Sequence, residues 1–374
     1  PTHHEPMVAR IGGDEFVLLL DDLPSPEDAL VVAQRIVDAL GKPYGVRTHQ
    51  VHCSISLGIV LRSQVDGDAD ADEVLQDASI AMVQAKRNGG ARCVVFEPSM
   101  RTRATQRGAI ENDLRRALVE DELFVVYQPV VGLLGDRGHR GAIDRSAGVE
   151  ALVRWRHPTR GLIPPLEFVG VAEECGLIGA LGDFVLATAC RQFVAWQQRL
   201  GTQSPRLLAV NLSRGQLGQP GFVESVRDVL RSTGMDPRRL QLEVTESLAA
   251  QDEAVQTWLK ELKELGLTLA LDDFGTGYSS LASLHQLPVD TVKIDRSFVS
   301  QAVDSAHHRV LIKATVRVAE SLRMGTVAEG IETAAQMDLV RQLGCKKGQG
   351  YFFGRPMPAD ELVQWIEDNA LQET

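Results

Sequence analysis

Leu267-Thr268-Leu269-Ala270-Leu271-Asp272-Asp273 is a short apolar run that ends on two adjacent carboxylates. Counting Leu267–Asp272 as the fifth in chain order, seven further runs of strand length surround it: Phe124–Val131, Val149–Trp155, Leu207–Asn211, Leu240–Val244, Thr291–Ile294, Gly325–Ala328 and Gly350–Phe353. Helix-like segments lie between most of them. In Ile178–Leu200, for example, Ile178, Leu181, Val185, Ala189, Phe193 and Trp196 recur every three or four residues. Eight strands interleaved with helices over about 250 residues outline an α/β fold, a TIM-type (β/α)8 barrel. The first link, Gly132–Gly148, is Gly-rich and lacks helical periodicity. The first two strands are therefore expected to pair as an antiparallel hairpin, which makes the barrel a modified one.

Residues 7–97 read as a smaller, partial α/β unit. Val8–Ile11, the turn Gly12-Gly13-Asp14-Glu15 and Phe16–Leu20 form a strand, turn and strand. Leu30, Ala33, Ile36, Val37 and Leu40 give Ala29–Leu40 helical spacing, and Ser54–Val60 and Arg92–Phe96 read as further strands. Glu97–Gly108, with Pro98 and three Arg, suits a linker into a helix over Ala109–Glu120. The expected organisation is a partial domain over 1–97, a linker over 98–108 and a barrel over 109–374.

The formal charge of -11 over 374 residues argues against a general nucleic-acid surface, which needs many Lys and Arg to neutralise phosphates. A small anionic ligand remains compatible with it if cations or a local Arg cancel the ligand's charge. Cys53, Cys93, Cys175, Cys190 and Cys345 are odd in number and form no C-x-x-C pair or zinc spacing, which fits a reduced, cytoplasmic compartment. No apolar run approaches the roughly 20 residues of a membrane span, the longest candidates being strand-sized pieces such as Phe16–Leu20. The start at Pro1 is expected to follow lost upstream sensory or membrane segments.

In such barrels the chemistry sits at the carboxyl ends of strands. Glu150 lies in the second run, Asn211 ends the third, Glu243 lies in the fourth, and Asp272 and Asp273 end the fifth. Lys293 lies in the sixth, Glu329 follows the seventh and Gln349 enters the eighth. Buried strands normally read as continuous Val, Ile and Leu, so a polar group in strand after strand needs partners that neutralise it. An oxygen-rich cluster of carboxylates and one carboxamide suits hard cations, two Mg2+ or Mn2+ ions, and phosphodiester hydrolysis is the reaction a pair of such ions serves. Lys293 can polarise the attacking water, while Glu329 can serve as ligand or proton acceptor; the sequence leaves both open. Arg154, four residues after Glu150, points to the same side of an extended strand and can grip a phosphate. Gly275 and Gly277 would permit a mobile loop over the metals. His52, His157, His285, His307 and His308 lack metal-ligand spacing, and no Walker-type loop is present.

These residues resemble a known family. Tyr127-Gln128-Pro129, Glu150-Ala151-Leu152-Val153-Arg154-Trp155, Val210-Asn211-Leu212-Ser213 and Leu242-Glu243-Val244-Thr245-Glu246 are similar to motifs of the EAL-domain cyclic-di-GMP phosphodiesterases. So are Leu271-Asp272-Asp273-Phe274-Gly275, Val292-Lys293-Ile294-Asp295, Ala328-Glu329-Gly330-Ile331-Glu332 and Gly348-Gln349-Gly350-Tyr351. The resemblance covers residues 109–370. It implies metal ligation by Glu150, Asn211, Glu243, Asp272, Asp273 and Glu329, with Lys293, Glu329 and Glu150 carrying catalysis. It also implies substrate contacts from Gln128, Leu152, Arg154, Asp295 and Gln349, and a loop-ordering role for Glu332. The implied function is hydrolysis of one bond of cyclic di-GMP (c-di-GMP) to linear pGpG by a homodimer. The alternative is a catalytically silent c-di-GMP receptor that regulates a partner; such relatives typically lose a metal carboxylate or the Lys, and none is lost here.

Residues 7–97 resemble the second half of a GGDEF domain through Arg10-Ile11-Gly12-Gly13-Asp14-Glu15-Phe16 and Ala85-Lys86. The resemblance implies GTP as a ligand of this unit, but the Arg expected four positions after Lys86 is Gly90, and the upstream R-x-x-D reads His3-His4-Glu5-Pro6. A Gly-Gly hairpin with an acidic tip accounts for the same residues.

Overall fold

The structure is a computed structural model that describes residues 6–21, 23–46, 49–61, 70–133, 143–249, 253–275 and 284–370. The chain divides into two compact units, Pro1–Ile110 and Glu111–Thr374.

In the first unit β1 (Met7–Gly12) and β2 (Glu15–Leu19) form an antiparallel hairpin in which Gly12 faces Glu15. Gly13, at the tip, has φ +47°, a conformation glycine adopts without steric cost. Next come α1 (Pro26–Leu40), the short hairpin β3 (Tyr44–Val46) and β4 (His49–Val51), β5 (Leu57–Ile59), α2 (Ala71–Arg87) and β6 (Cys93–Val95). β5 and β6 pair in parallel. α2 joins them as the crossover that a parallel pair requires. The periodicity expected for α1 and the two outer strand pairs matches these elements, whereas α2 and the β3–β4 hairpin lacked a clear pattern. The first four residues of the expected R-x-x-D position lie mostly outside the described residues.

The stretch 98–108, expected to be a linker, is helical: α3 runs without a break over Pro98–Ala117. Pro98 occupies the first position, where its missing N–H is no loss, and the Arg and Gln residues that suggested a linker are good helix formers. Arg101 grips Asp77 with two hydrogen bonds of 2.9 and 2.8 Å.

The second unit continues with β7 (Leu123–Gly132), β8 (Asp144–His157), β9 (Gly161–Ile163), α4 (Pro165–Glu174), α5 (Ile178–Leu200), β10 (Leu208–Asn211), α6 (Arg214–Leu217) and α7 (Phe222–Thr233). It ends with β11 (Leu240–Thr245), α8 (Glu246–Ala249), α9 (Glu253–Glu264), β12 (Thr268–Phe274), β13 (Thr291–Ile294), α10 (Arg296–Ala302), α11 (Ala306–Ser321), β14 (Gly325–Ala328), α12 (Ala334–Gln342), β15 (Lys347–Gln349) and α13 (Ala359–Ala370). β8 pairs with both β7 and β10, and the order β10-β11-β12-β13-β14-β15-β7-β8 closes into an eight-stranded barrel. β7 is antiparallel to both neighbours, β8 and β15, as the Gly-rich link predicts, while the other neighbouring pairs are parallel. Residues 134–142 of that link lie outside the described residues.

The period-two pattern of the runs sets what faces where. In β11, Leu240, Leu242 and Val244 join the core shared with the outer helices, and the intervening Gln241 and Glu243 face the barrel interior. β12 and β13 follow the same rule with Leu269, Leu271 and Val292 outward. The outer core is built on Phe193 and Trp196 of α5, where Tyr127 meets Trp196 edge to face at 4.7 Å. α5 corrects the expectation about membrane-length segments: with its continuation, Ile178–Gln203 has the length and mean hydropathy of a span. Its apolar face, including Leu181, Val185 and Phe193, is buried against the barrel strands.

The eighth strand also differs from expectation. It is Lys347–Gln349, and Tyr351–Phe353 form a turn. The aromatic residues carry strand propensity, but Gly350 passes so close to the Ile331 backbone that a Cβ would overlap its N and O. The chain turns there instead. Gly350→Ala is expected to lower stability by about 1–3 kcal/mol, the usual cost of overpacking. Gly218→Ala, whose Cβ would meet only Arg214 O at 3.8 Å, is expected to be near neutral, and urea titration of the two variants checks both outcomes.

Candidate active site

Because alternate residues of each strand face inward, the polar residue of each run arrives in one place, at the carboxyl ends of the parallel strands. Lys293 Nζ is the hub. It lies 2.7 Å from Glu243 Oε2, 2.9 Å from Glu329 Oε1, 3.1 Å from Asp272 Oδ1 and 3.9 Å from Glu150 Oε2. Asn211 Nδ2 donates to Glu150 Oε1 at 2.7 Å and Gln349 Nε2 to Glu150 Oε2 at 2.5 Å. Gln349 also donates to Gln128 Oε1 at 3.1 Å, and Gln128 Nε2 donates to Gly354 O at 3.2 Å. Glu150, Glu243, Lys293, Gln128 and Gln349 are buried.

Consecutive strand residues normally point to opposite faces. Asp272 and Asp273 escape that rule because the β12–β13 register breaks between Leu271 and Phe274, and Asp273 adopts φ +54°. Left-handed backbone is uncommon for a residue with a side chain, Asp and Asn being the better tolerated exceptions. The result is that Asp272, Asp273 and Glu329 each offer a carboxylate oxygen within 4.8 Å of the others.

The electrostatics follow from this crowding. Burial would lower the Lys293 pKa, but Glu150, Glu243, Glu329 and Asp272 outweigh it and hold the ammonium well above the usual lysine range. Burial pushes Glu243 well above the carboxylate range; Lys293 opposes this and the other carboxylates add to it. Burial likewise carries Glu329, against Lys293 and with Asp272 and Glu150, up to about 7. Asp273 is raised by burial, Asp272 and Asp295. Glu150 is lowered, since Lys293 and the amides of Gln349 and Asn211 overcome its burial.

Five carboxylates (Glu150, Glu243, Asp272, Asp273, Glu329) against one ammonium give a formal -5 + 1 = -4 among the described residues of the cluster. Two divalent cations would cancel that charge. Two buried acceptors, Asp272 Oδ1 and Gln349 Oε1, receive no directed hydrogen bond, although the former lies within ion-pair distance of Lys293. An all-oxygen donor set with spare acceptors fits hard cations such as Mg2+ or Mn2+.

The structure gathers Glu150, Asn211, Glu243, Asp272, Asp273, Lys293, Glu329, Gln128 and Gln349 into this one cluster. Leu152 and Arg154 continue the inward face of β8; Arg154 Nη1 donates to Val153 O at 2.8 Å, and its charge feels Tyr351 and Glu150. Asp295 caps α10 by accepting from Ser297 N at 2.9 Å. Glu332 pairs with Arg296 at 3.1 Å. Glu246 Oε2 accepts from Gly275 N at 3.0 Å, just after Asp273. Sequence reading passed over Glu246 because it lies just beyond its strand, at the start of α8. Gly275, with φ +102°, lies against Phe298, and residues 276–283 of the expected mobile loop lie outside the described residues. His157 is a satisfied structural residue: its Nδ1 accepts from Thr159 N and Arg160 N, and its Nε2 lies 3.1 Å from Asp113.

The family model for the EAL domain matches residues 111–356, and that for the diguanylate cyclase GGDEF domain matches residues 2–92. The chain is 40% identical over 358 residues to the bifunctional diguanylate cyclase/cyclic di-GMP phosphodiesterase MucR of Pseudomonas aeruginosa, covering 95% of this chain and 50% of that protein. It is 35% identical to the cyclic di-GMP phosphodiesterase PdeR of Escherichia coli, covering 97% of this chain and 53% of that protein. The chain thus spans about half the length of these curated relatives. A solved structure of the PaMucR phosphodiesterase in complex with c-di-GMP superposes with a TM-score of 0.62 at 41% identity, covering 68% of this chain and 99% of that one.

A carboxyl held at about 7 in the fold and near 4.5 when unfolded stabilises the metal-free protein below 4.5, and that contribution is lost as pH rises through about 7. Metal-free protein is therefore expected to lose thermal stability as pH rises from 4.5 to about 7, with the loss complete once the folded-state value is passed. Glu329→Gln removes the titration and should flatten the Tm profile; an unchanged slope would exclude Glu329 as its source.

Proposed function

Because the chain belongs to the EAL-domain family, we propose that its barrel is a metal-dependent phosphodiesterase that hydrolyses one bond of c-di-GMP to linear pGpG. The observation that carries this reading is the acidic cluster, four carboxylates around Lys293 with Asp273 beside them, its formal deficit of positive charge and its acceptors without a directed hydrogen bond.

Glu150, Asn211, Glu243, Asp272, Asp273 and Glu329 would hold two Mg2+ or Mn2+ ions. When bound, these ions supply acidification of a water and neutralisation of the phosphate oxygens. The chain's own residues do the rest. Lys293, fixed by its carboxylate neighbours, has its N–H groups aimed into the cluster and can orient the attacking water. A carboxylate at the position of Glu329, with affinity for a proton near neutral pH, can accept the proton that water gives up. Arg154 presents donors to a phosphate, and Gln349, whose Nε2 is taken up by Gln128 and Glu150, offers its free Oε1 as an acceptor to the substrate. Glu246, by fixing Gly275, keeps Asp273 in its turned conformation. The new P–O bond forms from water as the P–O bond to a ribose 3′ oxygen breaks, and that oxygen leaves protonated.

Chromatography of the products from c-di-GMP with Mg2+, Mn2+ or chelator tests the reading. The expected product is pGpG with either metal and none with chelator. Asp272→Ala and Lys293→Ala are expected to lose turnover, and Glu329→Gln to lose roughly 10²–10⁴-fold in kcat. Wild-type protein that binds c-di-GMP with metal present yet releases no pGpG would replace the enzyme with a silent receptor. Repeating the assay across protein concentration checks the homodimer that belongs to the same reading.

A further inference from the structure

Gln241 precedes Glu243 by two residues on β11, and Thr291 precedes Lys293 by two on β13, so each shares the inward face of the residue above it. Both are buried. Gln241 Nε2 donates to Thr291 Oγ1 at 3.0 Å and to Thr268 Oγ1 at 3.3 Å, and Thr268 Oγ1 donates in turn to Leu240 O at 3.3 Å. One amide thus ties three successive strands, β11, β12 and β13. The bridge lies two residues of strand rise, about 7 Å, beneath the ion pair of Glu243 with Lys293.

The backbone ladders leave this bridge a specific task. β13 pairs with β14 without interruption from Thr291↔Gly325 to Ile294↔Ala328, which fixes the height of Lys293 beside the strand that leads to Glu329. On its other side the pairing with β12 runs through Ala270↔Thr291 and Leu271↔Val292 and then shifts before Phe274↔Ile294. Lys293 falls inside that break. The last regular pairs, at the level of Thr291, therefore set where the ammonium stands against Glu243 and Asp272, and Gln241 clamps that level across β12 to β11. A buried amide and hydroxyl hold one arrangement because parting them strands a polar group away from water.

We propose that Gln241 and Thr291 are positioning residues that hold the Lys293 ammonium at its distance from Glu243 and Asp272. Neither touches substrate; both act through Lys293, and their effect on turnover rests on the phosphodiesterase reading. A reacting group misplaced by about 1 Å can cost on the order of a hundredfold in rate. Loss of the bridge therefore reaches the chemistry from a layer below it.

Gln241→Met keeps the length of the side chain and removes both donors, Thr291→Val keeps the shape and removes the hydroxyl, and Thr291→Ser keeps the hydroxyl. With c-di-GMP and Mg2+, well below the unfolding temperature, Gln241→Met and Thr291→Val are each expected to lower kcat at least about tenfold with KM within about twofold of wild type. The double variant is expected to lose no more than either single one, and Thr291→Ser to recover most of the loss. A bridge that serves stability alone would lower Tm in the folded variants and leave kcat unchanged, which overturns the proposal. A second measurement needs no turnover: metal-free crystal structures of Gln241→Met and Thr291→Val, compared with metal-free wild type. Lys293 Nζ is expected to move away from Glu243 and Asp272, 2.7 and 3.1 Å distant here, while keeping its 2.9 Å contact with Glu329. An unmoved ammonium in both variants overturns the proposal. Absence of pGpG from wild type would strike the phosphodiesterase reading instead, and the structures would still decide the clamp.

Discussion

The contact between Lys293 and its four carboxylate neighbours is the constraint that the rest of the site answers to. One buried ammonium within 3.1 Å of Glu243, Glu329 and Asp272 keeps three acidic chains together, yet cannot by itself balance them. Taking charges out of water is offset only when geometry and additional bonds are good. That is why Asn211 and Gln349 are turned onto Glu150, and why the strands that carry these residues must keep register to within one residue. A slip by one would send every carboxylate into the apolar layer under the helices.

This dependence explains what was legible in the sequence. Period-two runs such as Leu240-Gln241-Leu242-Glu243-Val244 announce a strand with an apolar outer face and a polar inner one, so strand identity and the set of inward residues could be read together. The antiparallel start was legible from a link that lacks helical spacing. What escaped had no local signal. β15 is Lys-Gly-Gln, three residues with little strand propensity held only by its neighbours β14 and β7. The aromatic residues after it looked more like a strand than the strand does. The first half of helix α3, residues 98–108, was hidden by a composition rich in Arg, where helix formation leaves no apolar stripe to detect.

The same limit applies within the site. Spacing finds residues that a strand points inward, and Glu246 is not one of them; it reaches Gly275 from the first turn of a helix on the neighbouring strand's loop. Glu332, to which the family pattern gives a loop-ordering role, pairs with Arg296, and residues 276–283 of that loop lie outside the described residues.

Asp273 bears on how such a barrel can change over generations. Its left-handed backbone turns a second carboxylate into the cluster, and the residue types that tolerate this geometry best are Gly, Asn and Asp. Asn differs from Asp by a single base in the codon and keeps both the shape and the turn. A lineage can therefore shed a negative charge from the heart of the site by one nucleotide change with little structural penalty, whereas losing Lys293 would leave buried carboxylates repelling one another. The fold thus makes one route to inactivity short and another steep.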